Sequence, residues 1–184
     1  MIQSAALLIS ERGVDATSFS DVVAHSGAPR GSIYHHFPGG KVQLVEEATR
    51  FAGDLMAAWQ RTALEGDDPL RGVDAVFEFW RSILTRTDFS AGCPVVAATV
   101  AADTVPGARE TANDSFMSWV GPYSKVLERN GLSRKRAKSL ATLVTAGFEG
   151  SIILARAERS MRPLERVRDE LRIAVGEAVE AARR

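Results

Sequence analysis

Residues 18–41 read SFSDVVAHSGAPRGSIYHHFPGGK. Ser18 is placed to cap a helix, and Asp21, three positions on, completes an Asp version of the capping box. Val22 and Val23 supply an apolar face, and Gly27 suits the left-handed position that stops a helix. Pro29 fits the first turn of a second helix, where a missing N–H costs nothing. In that second, nine-residue helix Ile33 and Phe37 lie four apart and share the inward face. Arg30, Ser32, Tyr34, His35 and His36 are left outside or at its margin. A helix of that length cannot stand alone in water. The stripe Ile2, Ala5, Ala6 and Ile9, closed by Gly13, offers it a neighbouring helix. Two short helices around a glycine turn, the second with a polar face, spell a helix-turn-helix.

The polar side suits a duplex. Arginine binds guanine or phosphate, serine bonds to either, and tyrosine and histidine donate to phosphate oxygens. Gly31 has no side chain to keep a backbone away. Lys41 opens the next helix, where its ammonium and the first N–H groups can hold one phosphate. The alternative is the ordinary solvated surface of a helical hairpin.

Further along, Leu44, Ala48, Phe51, Ala52, Leu55 and Trp59 are spaced as one face of a long helix over 41–60. Residues 65–68 break the pattern, and Asp68-Pro69 starts a helix to about Thr87. Gly92-Cys93-Pro94 begins a short Ala-rich helix. Another, over about 106–129, contains Gly121-Pro122, where an interior proline bends it or opens space for a ligand. Helices over 133–159 and 163–182 follow. In the last, Leu164, Val167, Leu171, Ala174 and Ala178 alternate three and four apart, the spacing of a coiled-coil seam or of a cover for the chain's own core. No strand pattern competes. The expected fold is all-α, about nine helices, with a three-helix helix-turn-helix domain over 1–46 and a larger helical domain over 47–184.

Arg12-Gly13, Asp15-Ala16-Thr17-Ser18, Asp21, Gly27, the run Arg30-Gly31-Ser32-Ile33-Tyr34-His35-His36-Phe37, and Lys41 resemble the DNA-binding domain of the TetR family of bacterial transcriptional repressors. GCPVVAAT (92–99) and GFEGSIILARAE (147–158) resemble the C-terminal domain of a drug-efflux-type subgroup. The turn Pro38-Gly39-Gly40 departs from the pattern, being longer than in many members. The resemblance implies a homodimer on a pseudo-palindromic operator, released by a small apolar or amphipathic effector. The DNA contacts it implies are Thr17, Ser18, Arg30, Gly31, Ser32, Tyr34, His35, His36 and Lys41. Candidate effector residues are the aromatics Phe77, Trp80, Phe116, Trp119, Tyr123 and Phe148, with Glu149 either selecting a ligand or pairing with Arg156 or Arg159. A four-helix dimer interface would use Gly147, Ser151 and Ala155 with Leu164, Val167, Leu171, Ala174 and Ala178.

Lys+Arg and Asp+Glu both number 23 in 184 residues, so no basic excess suggests indiscriminate polyanion binding. Residues 1–50 carry Arg12, Arg30, Lys41 and Arg50 against Glu11, Asp15, Asp21, Glu46 and Glu47. Few phosphates are therefore engaged per subunit, and a helical small-molecule-binding module without DNA function is the competing reading. An enzyme is not expected: no nucleophile elbow, phosphate loop or metal spacing occurs, and the adjacent His35 and His36 diverge around a helix. No metal and no cofactor are called for. The lone Cys93 excludes an intrachain disulfide. The longest apolar run, Pro94–Ala102, is far short of the roughly 20 residues that cross a bilayer. With no basic leader or cleavage site, a cytoplasmic protein away from membranes is expected. The cluster Arg134-Lys135-Arg136-Lys138 reads as a solvated helix start.

Overall fold

The computed structural model describes residues 1–101 and 103–184. The described residues form nine α-helices and no strand, as the all-α reading expects: α1 (Ile2–Arg12), α2 (Phe19–Ser26), α3 (Ser32–His36), α4 (Gly40–Ala63), α5 (Pro69–Arg86), α6 (Pro94–Val100), α7 (Ala108–Arg129), α8 (Arg134–Glu158) and α9 (Arg162–Ala182). The apolar run expected to end at Ala102 supplies α6, and Ala102 itself lies outside the described residues. Helix α7 starts two residues later than the proline at 106 suggests, because Gly107 sits at φ +85°, outside helical geometry.

The chain divides into two compact units: Met1–Leu55 with Ala91–Phe116, and Met56–Ser90 with Met117–Arg184. This division by compactness differs from the expected functional one after residue 46. The first unit buries Ala5, Leu8 and Ile9 of α1, Val22 of α2, Ile33 and Phe37 around α3, and Leu44, Val45 and Ala48 of α4 in one core. Ala98, Ala101, Val105 and Ala108 belong to that same core, so α6 and the start of α7 complete it. The Gly92 N–H donates to the Ser10 carbonyl at 2.8 Å, tying the lead-in of α6 to α1. Alanines on α6 let the two helices approach. Gly53 of α4 does the same for α7: a Cβ there would lie 2.3 Å from Ser115 Oγ and 2.7 Å from its Cβ.

The apolar stripe of α4 is straighter in sequence than in structure. Leu44 and Ala48 are buried, but Leu55 and Trp59 are about half exposed. Past Gly53 the buried positions move round the helix to Met56, Ala57 and Ala63.

In the second unit, Asp68 caps α5 by accepting the Leu70 N–H at 2.9 Å, and Pro69 occupies the first turn. Tyr123 of α7 donates its hydroxyl to the Pro69 carbonyl at 2.9 Å, and Gly72 leaves room for the ring. Helix α9 packs on both α5 and α8, and Arg172 pairs with Asp74 across the first contact. Proline 122 lies inside the continuous α7.

Over an 18-residue window helix α8 has a mean hydropathy of 1.3, long and apolar enough by length and composition alone to cross a bilayer. Serines, threonines and glycines interleave its apolar residues, so it contains no long uninterrupted apolar run. Its inward side (Leu140, Val144, Phe148, Ile152, Ala155) is buried in the fold, while Leu143, Ile153 and Leu154 are about half exposed.

Two outcomes follow from this packing. Gly53→Ala should destabilise the protein by about 1–3 kcal/mol through overpacking, and adding Ser115→Gly should relieve most of it, read by denaturant unfolding. Hydrogen bonds from Ser18, then the Arg12 guanidinium, hold the Asp21 carboxyl below its usual pKa. A lowered folded-state pKa contributes stability above the unfolded pKa and loses it as pH falls through the folded one. Asp21→Ala should therefore lower the melting temperature at neutral pH, with the two melting curves converging in acid.

Candidate nucleic-acid interface

The interface is built from α2, a turn and α3. Asp21 N–H donates to Ser18 Oγ at 3.2 Å, and Ser18 N–H donates to Asp21 Oδ2 at 2.9 Å, closing the capping box. Gly27 ends α2 at φ +68°, a left-handed conformation that favours glycine. The chain then makes a tight turn in which Ser32 N–H donates to the Pro29 carbonyl at 3.0 Å. This turn corrects the expected nine-residue helix. Pro29-Arg30-Gly31 form the turn, and α3 itself is the five residues Ser32–His36.

Such a helix is held by what it buries. Ile33 and Phe37 are almost inaccessible, and Phe37 N–H donates to the Ile33 carbonyl at 2.8 Å. Phe19, the first residue of α2, touches both sides of α3. Its ring centroid is 6.4 Å from that of Phe37 and meets Tyr34 edge-on at 5.6 Å. Tyr34 is 68% exposed, so this edge contact is what aims it outward. Phe19 was not among the residues singled out in the sequence. An aromatic directly after the helix cap is the signal that could have found it.

The expected contact residues fall into three groups. Arg30, Gly31, Tyr34, His35 and His36 are exposed, and Ser32 beside them donates its hydroxyl to the Pro29 carbonyl at 2.7 Å. Arg30 has no ion pair or hydrogen bond to any described residue. Gly31 adopts ordinary right-handed geometry (φ −77°), and a Cβ there would meet nothing within 4 Å. The fold itself therefore does not require glycine at 31. Ser18 and Lys41 are accessible but engaged: Ser18 Oγ in the capping box, and Lys41 Nζ donating to the Asp15 carbonyl at 3.1 Å. Thr17 is corrected. It is 2% exposed and its hydroxyl donates to the Gly13 carbonyl at 2.8 Å, so it fastens the α1–α2 loop from inside. Between α2 and α3 an open groove of about 850 Å³ is lined by Phe19, Asp21, Ala24, Arg30 and Tyr34.

Of the effector candidates, Phe77, Trp80, Trp119, Tyr123, Phe148 and Glu149 are all buried in the second unit. Phe116 is half-buried and falls in the first unit. Trp119 and Phe148 pack with ring centroids 6.1 Å apart. Tyr123 is committed to the Pro69 carbonyl, and burial pushes its phenol far above the usual range. Trp80 Nε1 is buried with no acceptor among the described residues. Arg159 pairs with Asp88 at 2.5 Å, and Arg156 donates to the Ser90 carbonyl at 2.9 Å.

Ser151, Ala155, Leu164 and Leu171 are buried within the chain, and Val167, Ala174 and Ala178 are half-buried. A Cβ at Gly147 would lie 2.9 Å from Leu171 Cδ1 and 3.3 Å from Val167 Cγ1. Gly147, Val167 and Leu171 thus meet in the intrachain contact of α8 with α9. Spacing by three and four serves that contact as well as it serves a partner helix.

Residues 1–48 match the family of bacterial regulatory proteins known as the tetR family, and residues 69–170 match the LmrA/YxaF-like transcriptional regulator C-terminal domain. An HTH-type transcriptional regulator of Mycobacterium tuberculosis is 43% identical over 178 residues, covering 94% of this chain and 90% of its own. The HTH-type transcriptional regulator LmrA of Bacillus subtilis is 31% identical over 167 residues, covering 89% and 88%. Among solved structures, a TetR transcriptional regulator from Chloroflexus aurantiacus superposes with TM-score 0.79 at 26% identity, covering 95% of this chain and 91% of that one. The regulatory protein TetR from Rhodobacter sphaeroides shares the fold at TM-score 0.82 and 20% identity, over 93% and 95%. With its capped α2, left-handed Gly27 and anchored α3 in front of a helical body of LmrA/YxaF type, this chain belongs to the TetR family of DNA-binding transcriptional regulators and is not an enzyme.

Proposed function

We propose that this regulator represses transcription by gripping a pseudo-palindromic operator as a homodimer, and that a small apolar or amphipathic molecule releases it. The observation that carries the reading is the outward side of the turn and α3. There an unengaged Arg30 guanidinium, a Tyr34 aimed by Phe19 and a glycine the fold does not need stand together. A bare backbone at 31 has a use only if something outside comes close. Arg30 reads a base or holds a phosphate; Tyr34, Ser32, His35 and His36 donate to phosphate oxygens. The contact function belongs to residues 1–46, and sensing and pairing to residues 47–184. Operator binding puts the protein in the cytoplasm.

Pairing uses the outer faces of α8 and α9 in place of the expected stripe. Leu143, Ile153 and Leu154 on α8 and Ile173 on α9 are each about half exposed, an apolar surface that a second copy would cover. A two-fold pair would set two α3 helices about 34 Å apart, one turn of the duplex.

Effector sensing draws on the buried aromatics of the second unit. The indole N–H of Trp80 lacks an acceptor among the described residues, which suits an apolar molecule carrying one oxygen acceptor. Release is mechanical. Within the first unit α4 and α7 cross at Gly53 and Ser115 without space for one methyl group, so a shift of α7 carries α4 and α3 with it.

Three measurements test this. Arg30→Ala should weaken operator affinity by about 1–3 kcal/mol, and an Arg30→Ala, Tyr34→Ala double mutant that keeps wild-type affinity would overturn the contact assignment. The logarithm of the affinity should fall by about 0.9 per engaged phosphate for each decade of salt, with a shallow total slope. Leu154→Glu should yield monomers in sedimentation and abolish operator binding without unfolding the chain. If the wild type shifts no duplex in a gel assay, the small-molecule-binding module is the better description.

A further inference from the structure

The turn Pro38-Gly39-Gly40 is closed by one side chain. Gln43 lies in the first turn of α4, and its Oε1 accepts the Gly39 N–H at 2.8 Å. Its Nε2 donates to the His36 carbonyl at 3.3 Å and to Glu47 Oε1 at 2.8 Å. One donor and two acceptors thus face one acceptor and two donors, and only this orientation of the amide satisfies all of them. The glycines are matched to it. A Cβ on Gly39 would lie 3.1 Å from both Cβ and Oε1 of Gln43, and Gly40 sits at φ +71° while donating its N–H to the Phe37 carbonyl at 2.9 Å.

What the amide holds matters more than the turn. His36 is the last residue of α3, and its carbonyl is one of those that a helix end leaves without a partner in the helix. In a five-residue helix most of the carbonyls are in that position. Gln43 ties this end of α3 directly to α4, and through Glu47 the tie is braced one turn further along.

We infer that Gln43 is a positioning residue for operator recognition: bridging His36, Gly39 and Glu47, its amide fixes the tilt of α3 against α4. The inference rests on the DNA-contact reading of α3. Gln43 itself need touch no nucleotide.

The test uses the full chain and two duplexes: one selected by the wild type from a random-sequence pool, and a scrambled duplex of the same composition. Gln43→Met keeps length and charge and removes the amide. It should lose about tenfold in affinity for the selected duplex, the size of the two bonds that tie Gln43 to His36 and Gly39, and less than about twofold for the scrambled one, which phosphate contacts dominate. The salt slope should not change. The charge-balanced swap Gln43→Glu with Glu47→Gln restores the Gly39 contact and the 43–47 pair and should recover part of the loss. Gly39→Ala, which crowds Gln43 from the other side, should lose selectivity in the same sense. Equal losses on both duplexes, tracking a lowered melting temperature, would make Gln43 a merely structural residue and overturn the inference. So would wild-type selectivity in Gln43→Met. Failure of the wild type to select any duplex would instead overturn the DNA reading on which the inference stands.

Discussion

Burial of Ile33 and Phe37 is the constraint on which the recognition surface depends. A five-residue helix has almost no stability of its own, because it forms barely one turn of hydrogen bonds for the entropy it gives up. Two apolar side chains anchored among α1, α2 and α4 supply the stability that the helix lacks. Because they lie four apart, they also settle its rotation: with positions 33 and 37 inward, Tyr34, His35 and His36 are left outside, while Arg30 and Gly31 are placed by the turn that precedes the helix. The same packing energy that holds α3 therefore selects which residues reach solvent.

Around that anchor, hydrogen bonds refine what the apolar contacts allow. The capping box and left-handed Gly27 end α2 on both sides, and the Pro29–Ser32 turn delivers the chain to α3. Phe19 contributes one ring to the core through Phe37 and one edge to the surface through Tyr34. Of the polar groups on this surface, Ser18, Ser32 and Lys41 are committed to the protein, whereas the Arg30 guanidinium is not, which makes it the charged group most available for a contact.

How much could be read in advance follows the range of the interactions. The capping box, Gly27, the inward pair 33 and 37 and the Asp68-Pro69 start depend on residues within four positions of one another, and all are legible in the sequence. The length of α3 was not, since Pro29 fits a turn as well as a first helical position. A threonine beside a helix cap can face either way, and the bond from Thr17 to the Gly13 carbonyl is what turns it inward. Along α8 and α9, helical spacing reports that a face is covered, not by whom. In α4 the covered face moves round the helix after Gly53, a change set by what packs there and invisible to a count of three and four. The Ala-rich α6 carries no strong pattern at all, yet four residues from this region complete the first core.

That last feature bears on how the protein is made. The DNA-reading unit draws its core from both ends of a long stretch of sequence, with Ala98, Ala101, Val105 and Ala108 arriving well after α4 has been synthesised. On the ribosome, α1 to α4 emerge first and wait with Ala5, Leu8 and Ile9 only partly covered until residue 108 has left the exit tunnel. All of α5 is translated in that interval. A nascent chain of this regulator thus completes its first core late, after α5 has been synthesised.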